Sequence, residues 1–199
     1  MSAGQNAVPK AVYSSARLAA RLKAMGKAVS RDYSGKTIDA VIILEDAFVF
    51  SADLLRYITR PVVFHFVRLE TRDVELSGFA RKEVFFSRPP ALQGRDVLIL
   101  AAVLDTGVTM DFLCKQVLEN QPRSMRIAVL VDKPDERRVD LRSDYFGFLG
   151  ASNHLVGYGL AGRDELYRNL PFLGALGGRG SKQGARGPAK RTSGAKRLR

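Results

Sequence analysis

The stretch Asp96-Val-Leu-Ile-Leu-Ala-Ala-Val-Leu-Asp-Thr-Gly-Val-Thr-Met110 indicates how this chain folds. Its segment 97–104 is an unbroken apolar run without Gly or Pro, which is typical of a strand buried on both faces of a parallel sheet. The run ends at Asp105-Thr-Gly-Val-Thr109, and an amphipathic segment follows at 110–121. A strand, a tight turn containing glycine and a helix together direct backbone N–H groups and hydroxyls at an anion. The sequence therefore predicts a phosphate-binding loop.

Strand and helix patterns alternate on both sides of this stretch, which predicts an α/β fold with a mostly parallel sheet. Ligands of such sheets bind beyond the carboxyl ends of the strands. The first helix is expected to be interrupted or bent near Gly26. The further predicted elements are strands at 38–44, 61–66 and 125–131, helices at 11–33 and 48–58, and a hairpin or mobile flap at 67–93.

Composition predicts a single domain followed by a basic tail. The chain has 199 residues, 46% of them hydrophobic, which is enough for one good core. Of the formal net charge of +12, eight positive charges come from 179–199, where Asp and Glu are absent. Residues 1–10 and 177–199 hold too little apolar surface to offset the entropy of ordering, so both are expected to be disordered.

Cysteine usage and hydropathy predict a cytoplasmic protein without a membrane partner. Cys114 is the only cysteine, which excludes an intramolecular disulfide and suits a reducing compartment. No apolar run approaches the ~18 residues that a membrane span needs. The first six residues, Met-Ser-Ala-Gly-Gln-Asn, lack the apolar core of a secretion signal.

Basic side chains are spread along the first predicted helix. Two interpretations stay open, a solvated helical face and a basic binding face. The residues concerned are Arg17, Arg21, Lys23, Lys27 and Arg31.

From about Ser15 to Leu176 the chain resembles bacterial hypoxanthine(-guanine) phosphoribosyltransferases. The resemblance is carried, in the family's order, by Phe50-Ser-Ala-Asp-Leu-Leu55, Asp105-Thr-Gly-Val-Thr109, Leu130-Val-Asp-Lys-Pro134, Tyr145-Phe-Gly-Phe148, Val156-Gly-Tyr-Gly-Leu160 and Tyr167-Arg-Asn-Leu-Pro171. It implies a type I phosphoribosyltransferase fold over 11–176, a twisted, mostly parallel sheet flanked by helices. A small hood would come from 11–33 and 145–176, and a flap from 67–93. The enzymes of this family transfer phosphoribosyl from phosphoribosyl pyrophosphate to a 6-oxopurine, with Mg²⁺.

The resemblance assigns the loop residues first. Asp105 would be the catalytic base near purine N7, since a carboxylate can accept that proton as the glycosidic bond forms. Thr106, Gly107, Val108 and Thr109 would hold the 5′-phosphate. The alternative for Asp105 and Thr109 is an ordinary helix cap.

The purine and pyrophosphate subsites are assigned in the same way. Lys133 would donate to the purine 6-oxygen, because an ammonium has donors and no acceptor; the alternative is a solvated lysine at a strand end. His154 stands where the family stacks an aromatic ring on the base, although a packed or exposed histidine fits the sequence equally well. Leu155 would offer backbone groups to the purine edge, and Arg168 falls near the family's pyrophosphate-binding arginine.

Five positions depart from the family pattern. Glu45 and Asp46 replace a Lys or Arg followed by Gly in the loop that contacts pyrophosphate. Ala101 and Ala102 replace the acidic pair that holds the ribose hydroxyls, and Ala161 stands where an aspartate helps to hold magnesium. No metal ligand set is assigned to this chain, although the resemblance implies Mg²⁺.

The sequence therefore predicts a homologue that is catalytically impaired and binds a purine nucleotide such as IMP or GMP, as a pseudoenzyme or regulatory protein. One alternative is an active purine-salvage enzyme with a rearranged site. Another is an RNA-binding regulator, whose basic tail makes weak, nonspecific nucleic-acid contacts. Self-association into a homo-oligomer is expected because the family enzymes commonly form dimers or tetramers.

Overall fold

The computed structural model describes residues 9–74, 79–86, 90–150, 154–162 and 165–176, with the backbone alone for 69–74 and 79–86. In chain order the elements are β1 (Lys10–Tyr13), α1 (Ser15–Asp32), β2 (Ile38–Leu44), α2 (Phe48–Leu55), β3 (Val62–Val74), β4 (Phe79–Phe86), β5 (Asp96–Leu104), α3 (Val108–Glu119), β6 (Ser124–Asp132), a 3₁₀ turn (Pro134–Glu136), β7 (Tyr145–Leu149), β8 (Leu155–Val156) and β9 (Leu173–Ala175).

The main sheet has six strands in the order β4-β3-β2-β5-β6-β7. Five of them are parallel, and only β4 runs antiparallel, as a hairpin with β3. In register, Asp96 on the central strand β5 lies beside Ile38 on β2 and Ser124 on β6. The carboxyl ends of these three strands therefore meet at one edge of the sheet, which is the edge expected to bind ligands. The predicted α/β type I phosphoribosyltransferase fold is confirmed.

The central strand is buried on both faces, as its unbroken apolar sequence predicts. Leu98 and Leu100 belong to the core formed with α1 and α2, whereas Val97 and Ile99 belong to the core formed with α3. Successive side chains of a strand point to opposite faces, so one apolar run serves two cores. Cys114 of α3 lies in the second core, and burial raises the pKa of its thiol to about 12.

The predicted interruption of the first helix is wrong. Helix α1 runs unbroken from Ser15 to Asp32, and Val12, expected on the helix, lies on β1 instead. A Cβ on Gly26 would come within 2.5 Å of Tyr57 Cβ. The glycine therefore leaves space for the segment after α2 to pack against the helix, and it does not break the helix. None of the helices in the described ranges is both long and apolar enough to cross a membrane.

Two further boundaries differ from the prediction. Helix α2 ends at Leu55, and just after it the N–H of Tyr57 donates to the carbonyl of Leu54 at 2.9 Å. Strand β3 continues from the predicted 61–66 segment directly into the predicted hairpin, because β4 pairs with its second half. The mobility of the predicted flap stays a prediction.

The segments predicted to form the hood do not form one unit: some belong to a small second sheet and others pack on or join the main sheet. Strands β1, β9 and β8 form a small antiparallel sheet, whereas α1 packs on the main sheet and β7 is the main sheet's edge strand. Because Tyr145–Leu149 pairs in parallel with β6, the hood assignment is corrected for that stretch. The domain limits remain predictions, and the disordered ends predicted at 1–10 and 177–199 lie outside the described residues except for residues 9 and 10.

The amino end of the central strand is held by a buried carboxylate. The Asp96 side chain is fully buried; it accepts from Arg123 and from Ser124 Oγ at 2.6 Å, and Lys36 Nζ lies 3.3 Å away. The hydrogen bond from Arg123 outweighs burial and holds the pKa of Asp96 well below its usual range. This carboxylate ties β5 to the start of β6 at the end opposite the predicted site.

Candidate functional site

A cleft of about 200 Å³ opens at the carboxyl edge of the sheet, between β2, β5 and the start of α3. It brings residues of the Asp-Thr-Gly-Val-Thr motif together with Asp46, Ala101 and Ala102, three of the five positions that differ from the family pattern. Its lining residues are Ile43, Asp46, Ala101, Ala102, Val103, Leu104, Asp105, Gly107, Thr109 and Met110. Its charged members, Asp46 and Asp105, are both residues that the sequence singled out, and their roles stay predictions.

The predicted phosphate loop connects β5 to α3. Gly107 is the N-cap of α3 and has a left-handed backbone, with φ of 79°, a conformation that costs a residue with a Cβ roughly 1–2 kcal/mol. Asp105 is exposed and its Oδ1 accepts from the N–H of Thr106 at 2.7 Å. Because Gly107 occupies the cap, neither Asp105 nor Thr109 is a helix cap, and that alternative is wrong. The first turn of α3 keeps N–H groups that can bind an anion.

The segment after β6 packs against this loop. The N–H of Arg138 donates to the carbonyl of Thr106 at 2.9 Å. A Cβ on Gly107 would meet Val139 Cγ2 at 2.8 Å and Arg137 Cδ at 3.0 Å. The loop therefore has no space for a larger residue at its cap.

Arg137 is a site residue that the sequence reasoning missed. Its guanidinium forms an ion pair with Asp132, which also accepts from Ser143 Oγ at 2.7 Å. The other terminal nitrogen, Nη1, is buried without a hydrogen-bond partner in the described structure. The only sequence signal was an arginine five residues after an aspartate across a 3₁₀ turn, which is too common a pattern to single out.

Lys133 lies beside the phosphate loop at the end of β6. Its N–H donates to the carbonyl of Leu104 at 2.9 Å, which ties the ends of β5 and β6 together. Only 13% of its side chain is exposed, and Nζ lies 3.4 Å from Glu136 Oε1. A solvated lysine at a strand end does not describe this arrangement. The side chain runs past Gly150, because a Cβ built there would meet Lys133 Cγ at 3.2 Å and Cε at 3.7 Å. An ammonium has donors that can bind an acceptor oxygen of a ligand.

The other two predicted purine contacts lie on the small sheet. Leu155 begins β8 and pairs with Ala175 of β9, and its side chain is partly buried. His154 precedes β8 and is exposed. The predicted stacking of His154 on a purine base is not tested by its exposed position and stays a prediction.

Arg168 is surrounded by carboxylates. It forms ion pairs with Asp46, with Glu165 at 2.6 Å and with Glu45 at 3.8 Å, and it donates to the carbonyl of Gly159 at 2.7 Å. Partial burial disfavours its charged form, but the hydrogen bonds to Glu165 and Asp46 outweigh burial and raise the pKa of Arg168. Glu45 also pairs with Arg68 of β3. The guanidinium predicted to contact pyrophosphate is thus already paired within the chain.

The end of β5 contributes only methyl groups to the cleft at Ala101 and Ala102. Ala101 and Ala102 are 4% and 3% exposed at the end of β5, and Ala161 is partly buried beyond the small sheet. In the described ranges no three His, Cys, Asp or Glu side chains come together to hold a metal ion. Mg²⁺ is usually held by one or two carboxylates together with substrate phosphates and waters, so the Mg²⁺ that the resemblance implies stays a prediction.

Comparisons with known proteins agree on the relationship. The phosphoribosyl transferase domain family matches residues 10–161. A hypoxanthine-guanine phosphoribosyltransferase of Lactococcus lactis is 31% identical over 170 residues, which cover 85% of this chain and 92% of that protein. One of Mycobacterium avium is 31% identical over 166 residues, covering 80% of this chain and 81% of its own.

Solved structures give the same result. A hypoxanthine phosphoribosyltransferase of Staphylococcus aureus superposes with a TM-score of 0.79 at 27% identity, covering 88% of this chain and 95% of its own. A hypoxanthine-guanine phosphoribosyltransferase of Bacillus anthracis gives 0.76 at 28% identity, covering 85% and 98%. With the fold, the phosphate loop and these relatives in agreement, the chain belongs to the hypoxanthine-guanine phosphoribosyltransferase family.

Proposed function

We propose that this chain binds purine 5′-mononucleotides such as IMP and GMP and has lost most of the phosphoribosyl-transfer activity of its family. The observation that carries the proposal is the pairing of Arg168 with Asp46, which also lines the cleft. The chain acts in this proposal as a nucleotide-binding or regulatory protein. Its cytoplasmic location stays a prediction.

The nucleotide half of the site supports binding. Gly107 and the start of α3 offer N–H groups to a single phosphate, as in other helix N-terminal phosphate sites. The Lys133 ammonium lies at the adjoining strand end and suits a carbonyl oxygen such as the 6-oxygen of hypoxanthine or guanine. These two groups would hold opposite ends of one mononucleotide.

The pyrophosphate half of the site argues against efficient transfer. Around Arg168 stand three carboxylates, those of Glu45, Asp46 and Glu165, so this end of the cleft repels phosphate groups. Ala101 and Ala102 offer no acceptor for ribose hydroxyls. If each lost contact costs about 2–4 kcal/mol of transition-state stabilisation, the combined loss exceeds roughly 10⁴-fold.

Titration calorimetry tests the binding half of the proposal. We expect IMP and GMP to bind, and phosphoribosyl pyrophosphate to bind far more weakly, because only the mononucleotide avoids the carboxylates around Arg168. AMP is the matched control, since its 6-amino group gives Lys133 no acceptor oxygen. No heat with millimolar IMP or GMP would contradict the proposal, and so would equal affinity for phosphoribosyl pyrophosphate.

The alternative is an active purine-salvage enzyme. It is favoured by the relatives, which carry the name hypoxanthine-guanine phosphoribosyltransferase at about 30% identity. Asp105 is exposed at the cleft, where it could take the N7 proton. A steady-state assay with hypoxanthine or guanine and phosphoribosyl pyrophosphate separates the two functions, since a rate equal to buffer removes this alternative.

We further propose that the chain forms a homodimer through the apolar surface between α2 and β3. This surface contains a groove of about 340 Å³ lined by residues that include Phe48, Leu55 and Phe66. The rings of Phe48 and Phe64 are 58% and 53% exposed at its sides. A two-fold axis would let an exposed ring of each copy enter the groove of the other, because the same surface carries both the rings and the groove.

The variant Phe64→Glu is expected to convert the dimer to a monomer in sedimentation equilibrium, since it places a charge in the apolar contact. Leu118→Glu is the matched control, because Leu118 is similarly exposed, at 52%, but lies on α3 across the sheet. A parent chain that sediments as a monomer at all concentrations would contradict the dimer.

A further inference from the structure

The solvent face of helix α1 is strongly basic, and the one acidic residue of the helix is Asp32 at its end. With about 100° of rotation per residue, five cations fall within an arc of about 160°. They lie opposite the buried side chains, which include Leu18, Leu22 and Val29. No Asp or Glu occurs from Ser15 to Arg31. The cations of this basic face are Arg17, Arg21, Lys23, Lys27 and Arg31.

This arrangement opposes the stability of the helix itself. Arg17 and Arg21, Lys23 and Lys27, and Lys27 and Arg31 are like-charge pairs at i,i+4 spacing, each unfavourable by a few tenths of a kcal/mol. Arg17 also lies in the first turn, where the helix dipole favours an anion, and that turn holds no acidic residue. An ordinary solvated face would mix the two signs, so helix stability does not explain the pattern.

Between the cations the exposed positions hold only small side chains. Ala16, Ala20 and Ala24 are exposed and alternate with the cations around the arc, so a partner can approach the helix closely. The face has no large apolar side chain, whereas protein partners usually bury an apolar or aromatic centre. It also lacks an exposed aromatic ring on which single-stranded bases could stack.

The cations fall into two groups with different freedom. Arg21 donates to the carbonyls of Gly147 and Phe146 at 2.7 and 2.8 Å, and the Arg17 guanidinium lies 5.1 Å from the centre of the Tyr13 ring. Lys23 and Lys27 are exposed and have no hydrogen bond or ion pair within the described structure. Arg31, at the end of the helix, pairs with the adjacent Asp32 at 3.0 Å. The helix therefore offers fixed arginines at one end and unpaired lysines in its middle.

We propose that this basic face binds the phosphate backbone of duplex DNA without reading its sequence. Its cations extend over about 21 Å of helix axis from Arg17 to Arg31, a span that meets several phosphates of a duplex. Phosphate contacts fix position and carry no base information, which matches a face of Lys, Arg and Ala. The surface is separate from the nucleotide cleft, so the proposal does not depend on nucleotide binding.

The full chain with Lys23→Ala and Lys27→Ala tests this, because alanine preserves the helix and removes only charge. We expect affinity for a random-sequence duplex of about 20 base pairs to fall roughly 10- to 60-fold at about 0.1 M salt. The plot of log affinity against log salt should lose about 2 units of slope. Two unrelated sequences should give the same result.

The matched control is Lys115→Ala with Arg142→Ala, which removes the same charge from two exposed sites off the basic face, one on α3 and one in the segment before β7. Affinity should then change little. An equal loss in both variants would assign binding to overall charge and overturn the proposal. Tighter binding of polyglutamate or of single-stranded DNA than of the duplex would also overturn it, the first by indicating an acidic protein partner.

Discussion

The variant Glu45→Lys, Asp46→Gly, Ala101→Glu, Ala102→Asp is expected to transfer phosphoribosyl to hypoxanthine at least about 10³-fold faster than the parent chain. Two of the substitutions place a cation and a glycine in the loop after β2, and the other two place carboxylates at the end of β5. All four follow the pattern that the family shows at these positions. The gain is the largest effect that we expect from any change in this chain.

Charge at the pyrophosphate end is the physical reason. A carboxylate ~4 Å from a phosphate oxygen costs roughly 4 kcal/mol at an effective dielectric near 20. Removing Asp46 releases Arg168 from one of its carboxylate partners, and removing Glu45 releases it from another. The two new carboxylates give the ribose hydroxyls acceptors inside a cleft that is now lined there by methyl groups.

Pyrophosphate release, measured under saturating hypoxanthine, gives the rate of each variant. The control Glu119→Lys changes the net charge as much as Glu45→Lys does but lies at the end of α3, so its rate should equal that of the parent. The pair Glu45→Lys and Asp46→Gly alone should tighten the binding of phosphoribosyl pyrophosphate with little gain in rate. A parent chain that already releases pyrophosphate rapidly would show that the proposed impairment is wrong.

Replacing Gly107 by alanine is expected to weaken IMP binding by at least about 30-fold. A left-handed residue with a Cβ costs roughly 1–2 kcal/mol, and this Cβ would also press on Val139 and Arg137 at 2.8 and 3.0 Å. The loop must shift to relieve the contact, and its N–H groups then no longer converge on the phosphate. Calorimetry with IMP measures the loss directly.

Gly35→Ala provides the matched control. Gly35 has nearly the same backbone, with φ of 71°, but nothing lies within 4 Å of the added Cβ, and the residue precedes β2 at the opposite end of the sheet. Both variants should lose similar stability from the backbone, whereas only Gly107→Ala should lose IMP affinity. An unchanged affinity in a folded Gly107→Ala chain would remove the phosphate loop from the proposed site.

Much of the fold was predictable because local pattern and tertiary position agree. The predicted strand 38–44 coincides with β2, and the apolar run at 97–104 coincides with β5 but for Asp96. A strand buried on both faces needs a continuous apolar run, which the sequence displays directly. The prediction at Gly26 was wrong because a glycine inside a helical pattern looks the same in the sequence whether it breaks the helix or allows another segment to pack closely against it.

The sequence singled out several residues that lie together at the candidate site, but not their contacts. The sequence identified Asp105, Gly107 and Lys133 and also the departures at Asp46 and Ala101, which lie at the same edge of the sheet. It did not identify Arg137 beneath the phosphate loop or Glu165 beside Arg168. The Arg137 contact joins segments 30 residues apart, which no periodicity reveals. Glu165 and Arg168 form an i,i+3 pair whose spacing was visible in the sequence.

The amino-acid sequence by itself determined the order of strands and helices, the phosphate loop and the substituted positions, because each is a property of a short segment. Only the tertiary structure decided that Arg168 is paired with Asp46, 122 residues away, and that Lys23 and Lys27 of α1 lie exposed on its solvent face. Ion pairing depends on distances across the fold. A charge that looks available in the sequence can therefore already be neutralised within the folded chain.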